Sequence, residues 1–298
     1  MTSPADTSEQ ASPKAVIVIS SHVARGSVGN RAAVFALETL GYPVWAVPTV
    51  ILPWHPGHGP ATRIVPAPDQ FAALMKDLER APWLGEVAGV LSGYLGDEGQ
   101  VSAVASLVAA VRAKNPKALY VCDPVMGDLG GLYVKQVLAE RIRDELIPIA
   151  DIATPNRYEL AWMVGRELSE MRTTLEAASE VGPPTMLVTS APAMMKSFTG
   201  NLLLSGSEAW LAEHRIIENP PNGLGDLTGA VFLARLLDGQ NFNKALQTTT
   251  AAVFEILART ARRGGDELQL ETDAQSLAHP MAMVQMRRLS VPDKGRRA

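Results

Sequence analysis

The stretch "PPNGLGDLTGA" at residues 220–230 sets an acid, Asp226, behind Gly223, Leu224 and Gly225 where a helix begins. Helix starts leave backbone N–H groups free and carry partial positive charge, so they attract anions. Glycines let that backbone approach a ligand closely, and a carboxylate beside it is placed to take a proton. The same residues also make a serviceable loop and helix cap. A second group lies in "CDPVMGD", where Asp123 ends an apolar run, Pro124 turns the chain and Asp128 follows. A third is "TPNRYEL", which sets Asn156 and Glu159 three apart at a strand-to-helix junction. Acids at neighbouring strand ends suit Mg2+, which keeps several waters and uses few protein ligands. Each stretch alone is equally a turn or a capped helix start. The three together in one chain are much less easily explained by turns.

Positioning such groups requires a scaffold whose strands end side by side. "AVIVIS" (15–20), "GVLSG" (89–93), "ALYVCD" (118–123), "DIATPN" (151–156) and "TMLVTS" (185–190) are short apolar runs rich in branched residues. Runs of this kind, buried on both faces, mark a parallel sheet. Amphipathic stretches alternate with them. Val101, Val104, Ala105, Val108 and Val111 fall on one helical face, and Pro116 closes that segment. Residues 29–41 and 227–239 read the same way, each closed by glycine. The order implies a three-layer α/β/α domain with a mostly parallel central sheet and right-handed crossovers. "GNLLLSGSEAWLAEHR" (200–215) reads as a hairpin, expected as an antiparallel edge. The Pro- and Gly-rich connection 52–68 reads as a flap, mobile over residues 53–60. In open parallel sheets ligands bind where strands end, and the polar residues gather there.

The chain has 298 residues, is 47% hydrophobic and carries a net charge of −4. That is enough to bury a full core, and no basic stripe suggests nucleic acid as a partner. No apolar run reaches the ~18 residues of a membrane helix. The polar N-terminal stretch lacks the apolar centre of a secretory signal. The single cysteine, Cys122, excludes an internal disulfide framework and suits a cytoplasmic setting. Residues 1–14 are expected as a flexible leader, 15–287 as one domain, and 288–298 as a flexible basic tail.

"SSHVARGSVGNRAA", "VLSGYLGDEGQ", "VCDPVMGD", "TPNRYEL" and "GLGD" stand in the order and spacing of pyridoxal kinases of the ribokinase-like superfamily, which the chain resembles from about residue 15 to about 280. "GLGD" is similar to the superfamily's anion-hole signature and "NRYE" to its magnesium motif. The resemblance implies the ribokinase-like fold and ATP-dependent phosphorylation of the 5′-hydroxymethyl group of pyridoxal, with pyridoxine and pyridoxamine as further substrates. It implies Asp226 as the base and Gly223, Leu224 and Gly225 as the anion hole. Asp123, Asn156 and Glu159 would organise Mg2+ and phosphates. Ser21, Thr49 and Tyr94 would contact the pyridine ring, with Asp226 facing the reacting hydroxyl. Asp128, Tyr133, Thr154, Thr189 and Ser190 would line the ATP side, with a monovalent cation such as K+ near Asp123 and Thr154. A homodimer is implied as well.

The chain departs from the family pattern in places. Leu224 stands where threonine is usual, which spares an amide anion hole but removes a hydroxyl. Thr189 stands where some relatives carry lysine. His55 and His58 replace the usual flap pattern, and without a third ligand they suit closure over substrate better than a metal. Two alternatives stay open: a kinase for another small alcohol such as hydroxymethylpyrimidine, and a non-catalytic vitamer-binding protein. A nicotinamide site fits poorly, because "RGSVGNRA" lacks Gly-x-Gly-x-x-Gly.

Overall fold

The computed structural model describes residues 15–291, so the expected leader and residues 292–298 of the expected tail lie outside the described residues. Its strands are β1 (Ala15–Val23), β2 (Val44–Leu52), β3 (Val87–Ser92), β4 (Leu119–Cys122), β5 (Ile152–Ala153), β6 (Thr185–Pro192), β7 (Phe198–Ser205), β8 (Glu208–Arg215) and β9 (Gln285–Leu289). They form one sheet in the order β9-β8-β7-β6-β5-β4-β3-β1-β2. From β2 to β6 every pairing is parallel. From β6 to β9 every pairing is antiparallel.

β1 shows why the parallel strands read as unbroken apolar runs. Val16 and Val18 face one apolar cluster, and Ile17 and Ile19 face the other. With helices on both faces, neither side of the strand meets water. Helices α1 (Asn30–Thr39), α7 (Leu224–Leu237), α8 (Phe242–Arg262) and α9 (Ala274–Ala278) pack together. Helices α2 (Pro68–Glu79) and α3 (Gly99–Lys114) pack together, as do α5 (Arg157–Val164) and α6 (Met171–Val181). A short α4 (Gln136–Arg141) runs into a π turn at Ile142–Leu146. Three layers follow, as expected. In α3 the buried face holds Val101, Val104, Leu107, Val108 and Val111, so Leu107 takes the place assigned to Ala105.

Three differences from the expected layout have physical reasons. β2 contains Pro48, and an edge strand tolerates a missing N–H. The hairpin β7–β8 forms, but β9 pairs outside it, so the hairpin lies one strand in from the edge. Consequently Arg288 and Leu289, expected in the tail, belong to a paired strand that runs two residues past the expected domain end at 287. β5 is regular only over Ile152–Ala153, because Pro155 interrupts the ladder before Asn156 bridges to Thr189. No described helix is long and apolar enough to cross a membrane.

Candidate active site

Asp226 lies inside the first turn of α7, three residues beyond where the helix begins to leave its loop at Gly223. Gly223 has φ +92°, a left-handed conformation that side chains disfavour. The N-cap position is Gly223, which offers no side chain to the first turn, and Asp226 is the acid of that turn. Its carboxylate accepts from the backbone N–H of Gly29 and from its own amide. A Cβ placed on Gly93, just past β3, would stand 3.7 Å from Asp226 Oδ1, so the end of β3 opens beside the acid. Asp226 is only partly buried, yet desolvation lifts it from the ordinary carboxylate range to about 6. The two backbone donors hold it below what burial alone would give.

The second acid, Asp123, follows directly on β4 and is buried. A Cβ on Gly225 would stand 3.9 Å from Asp123 Oδ2, which places the acid against the start of α7. Burial first, and then the charge of Asp226, push it to about 8. The Thr154 hydroxyl offsets part of that rise. Thr154 Oγ1 is nonetheless a buried oxygen without a hydrogen bond of ordinary geometry. Glu159 is also buried and is held well above the usual carboxylate range by desolvation and by Asp123. Tyr133 is half-exposed, and burial and then the charges of Glu159, Asp123, Asp226 and Asp128 raise its phenol.

Asn156 and Glu159 serve a structural task at the same time. Asn156 caps α5, its Oδ1 accepting from Tyr158 N at 2.8 Å and Glu159 N at 2.9 Å. Glu159 Oε2 accepts from Asn156 N at 2.8 Å, completing a capping box. Glu159 Oε1 accepts from Met126 N at 2.9 Å and Gly127 N at 3.4 Å, and Asn156 Nδ2 donates to Gly127 O at 2.7 Å. The pair thus ties the loop after Asp123 to the start of α5. Among the described residues no three His, Cys, Asp or Glu side chains converge to hold a metal by themselves. The donor set still fits a hard cation that keeps most of its waters. Buried acids face one another, Thr154 Oγ1 is unpartnered, and no basic side chain figures among the groups that shift Asp123.

The residues expected to contact the ring form a separate but adjoining set. Thr49 Oγ1 donates to Tyr94 O at 2.6 Å. Tyr94 N donates to Ser20 Oγ at 3.2 Å, and Ser20 Oγ lies 2.6 Å from where a Gly93 Cβ would stand, beside Asp226. Ser21 closes over Gly29, where a Cβ would meet Ser21 O and Oγ at 2.3 Å. Among the residues expected to line the ATP side, Thr189 N donates to Pro155 O at 3.0 Å and Thr189 bridges to Asn156. Ser190 takes a φ of +58°, unusual for a non-glycine residue. Asp128 is exposed, with Oδ1 accepting from Gly130 N at 2.8 Å in a small ribbon, Gly127–Asp128 with Gly131–Leu132.

Two buried residues that the motifs do not single out position this set. Gln100 accepts from Gly96 N at 2.8 Å and donates to Thr49 O at 2.9 Å, bracing β2 against the loop that carries Tyr94. Asn30 donates to Ser20 O at 3.0 Å and fixes the end of β1. The flap leaves β2 and is pinned back to it where Ile51 and Ile64 pair. His55 Nδ1 accepts from Gly57 N at 3.1 Å, and burial holds the His55 ring below its usual range.

A family model described as phosphomethylpyrimidine kinase matches residues 69–270. The pyridoxal kinase PdxY of Rubrobacter xylanophilus is 38% identical over 282 residues, 92% of this chain and 97% of that one. The pyridoxal kinase PdxY of Deinococcus radiodurans is 38% identical over 273 residues, 87% of this chain and 91% of that one. A pyridoxal kinase from Leishmania donovani, solved in complex with ADP and pyridoxine, superposes with a TM-score of 0.86 at 30% identity. That match covers 92% of this chain and 98% of the other.

Proposed function

The chain belongs to the phosphomethylpyrimidine kinase family, in its pyridoxal kinase branch, and on that footing we propose how its residues divide the work of an ATP-dependent kinase. The reaction is transfer of the γ-phosphoryl group of ATP to the 5′-hydroxymethyl group of pyridoxal. Pyridoxine and pyridoxamine, which occupy Leishmania relatives together with ADP, are the natural further substrates. The observation that carries the assignment is Asp226: an acid in the first turn of α7, beside the open end of β3 and lifted to about 6.

Phosphoryl transfer asks the protein for positioning and charge stabilisation. A bond forms from the alcohol oxygen to the γ-phosphorus, the bond to the β–γ bridging oxygen breaks, and ADP leaves. The hydroxyl is too weak an acid to ionise in advance, so Asp226 takes its proton as the new bond forms, a contribution of roughly 10²–10⁴ in rate. A carboxylate lifted to about 6 is a better base than an ordinary one and is still mostly ionised at neutral pH. The amides of Gly223, Leu224 and Gly225 face the phosphoryl oxygens, and one such donor typically lowers the barrier by about 3–4 kcal/mol. None of these amides needs a hydroxyl, so Leu224 leaves the hole intact.

Asp123 would hold Mg2+, with Asn156 and Glu159 reaching it through water, because their side-chain atoms are bonded to backbone. Bound there, Mg2+ would supply positive charge against the phosphates of the nucleotide. The unpartnered Thr154 Oγ1 beside Asp123 suits a monovalent cation, K+ in this reading. Thr49, Tyr94 and Ser21 hold the ring; Thr189, Ser190, Tyr133 and Asp128 border the nucleotide. A homodimer working in the cytoplasm completes the proposal.

Incubation with MgATP and, separately, pyridoxal, pyridoxine, pyridoxamine and hydroxymethylpyrimidine tests the reading. ADP release with pyridoxal at the highest kcat/KM is the expected result. A preference for hydroxymethylpyrimidine would move the substrate to the pyrimidine branch, and binding of vitamer without turnover would leave a vitamer-binding protein.

A further inference from the structure

Glu267 sits in the connection between α8 and α9, outside every motif that carries the chemistry, yet two separate segments meet on its carboxylate and a third is joined to it through one of them. The first is the flap: His58 Nε2 lies 2.8 Å from Glu267 Oε1. The second is the loop that follows β1. Ser27 N donates to Glu267 Oε2 at 3.4 Å, Arg25 Nη1 approaches Oε1 at 3.6 Å, and Ser27 Oγ donates to the neighbouring Leu268 O at 2.8 Å. Gly26 wraps the carboxylate so closely that a Cβ there would stand 2.5 Å from Oε1. The third is reached through that loop. Ser27 O presses on Gly223, the residue that starts α7, and two residues later Gly29 gives its N–H to Asp226. The flap also touches this region directly, since a Gly57 Cβ would stand 3.5 Å from Asn222 Nδ2.

We propose that Glu267 is a positioning residue that latches the flap, through His58, to the loop holding Gly223 and Asp226, so that closing the flap and setting the base are one event. The physical reason is economy of partners. Glu267 is almost fully buried, and a buried carboxylate needs its hydrogen-bond capacity filled. With the flap away, Oε1 loses its shortest partner, and the remaining donors on residues 25–27 can shift toward it. With the flap down, His58 completes the set and the loop is held where Gly29 reaches Asp226. Part of the binding energy of the vitamer would then be used to complete the site that acts on it. The inference rests on the kinase reading for its kinetic readouts and on the geometry alone for its exchange readout.

The test compares the full-length wild type with His58→Ala, Glu267→Gln and the double variant. Hydrogen exchange of residues 53–60 is followed with and without pyridoxal and a non-hydrolysable ATP analogue, and KM for pyridoxal, KM for ATP and kcat are measured. His58→Ala is expected to speed flap exchange and raise KM for pyridoxal by about tenfold while leaving KM for ATP within about twofold, the scale of a coupling between two segments. Glu267→Gln should do the same and lower kcat as well, and the double variant should match Glu267→Gln rather than add to it. Unchanged flap exchange in His58→Ala would overturn the latch, and so would strictly additive effects in the double variant. His58 is on a surface loop, so its variant tests the latch even if Glu267→Gln does not fold. A wild type that binds but never phosphorylates pyridoxal would refute the kinase reading, and flap exchange would still decide the latch.

Discussion

The backbone carbonyl oxygen of Ser27 lies 2.1 Å from where residue 223 would carry a Cβ, so the start of α7 and the loop after β1 fit together only if residue 223 is glycine. The φ of +92° asks for glycine independently. Gly223→Ala is therefore expected to cost about 1–3 kcal/mol of stability. It should also lower kcat by about 10² by moving the amides proposed as the anion hole. Thermal melting and single-turnover kinetics check the two effects, and an active, fully stable variant would show that the loop can give way.

The desolvated acids Asp123 and Asp226 make the ligand-free protein sensitive to pH in a defined direction. Asp123 rises to about 8 and Asp226 to about 6 from ordinary carboxylate values near 4. A group with a raised folded value binds more protons folded than unfolded, so its stability is full below about 4 and is lost as pH rises through the folded value. Asp123→Asn cannot ionise. Its melting temperature relative to wild type should therefore climb between about pH 4 and about pH 8, and Mg2+ with nucleotide should narrow the gap by stabilising only the wild type. A difference that does not change with pH would mean that Asp123 is not the strained acid described here.

Gln100 braces Thr49 against the loop of Tyr94 by two hydrogen bonds, with Gly96 N and Thr49 O. Gln100→Leu leaves both backbone groups buried without partners, a loss of about 1–3 kcal/mol. KM for pyridoxal should rise while KM for ATP holds. Equal changes in both would reduce Gln100 to a general core residue.

The C-terminal strand predicts a difference between two truncations. Glu213 is fully buried, accepts from Met194 N at 2.6 Å and Met195 N at 3.2 Å, and pairs with Arg287 of β9. Those methionines follow Thr189 and Ser190, proposed to border the nucleotide, in sequence. Removing residues 292–298 should leave the melting temperature unchanged. Removing 285–298 strips Glu213 of its cation, a loss of about 3–5 kcal/mol for a broken buried pair, and should raise KM for ATP. Indifference to the longer truncation would mean that β9 is dispensable.

Much of this architecture is legible in the sequence, for physical reasons. β1, β3 and β4 are apolar on both faces because helices cover both, and such runs stand out in a chain. Asp123 stands beside a turn residue that betrays a strand end, and Glu159 and Asp226 stand just inside helix starts marked by Pro and Gly. β2 is hidden by Pro48, which only an edge strand accepts, and β9 by two arginines in five residues. What the sequence conceals most is long-range pairing. Gln100 with Thr49, His58 with Glu267 and Ser27 with Gly223 are each joined only by folding, and no local pattern announces them. The motif "NRYE" shows a further limit, since a metal-ligand pattern and a capping box ask for the same residues and here Asn156 and Glu159 form the capping box.

The central claim is that Asp226 is the proton acceptor and not a helix cap. Asp226→Asn keeps the size and removes the negative charge, so α7 should form and the melting temperature should change little. With saturating MgATP and pyridoxal, kcat should fall by roughly 10² or more. A variant that folds like the wild type and turns over at a near-wild-type rate would contradict the account and take Asp226 out of the chemistry.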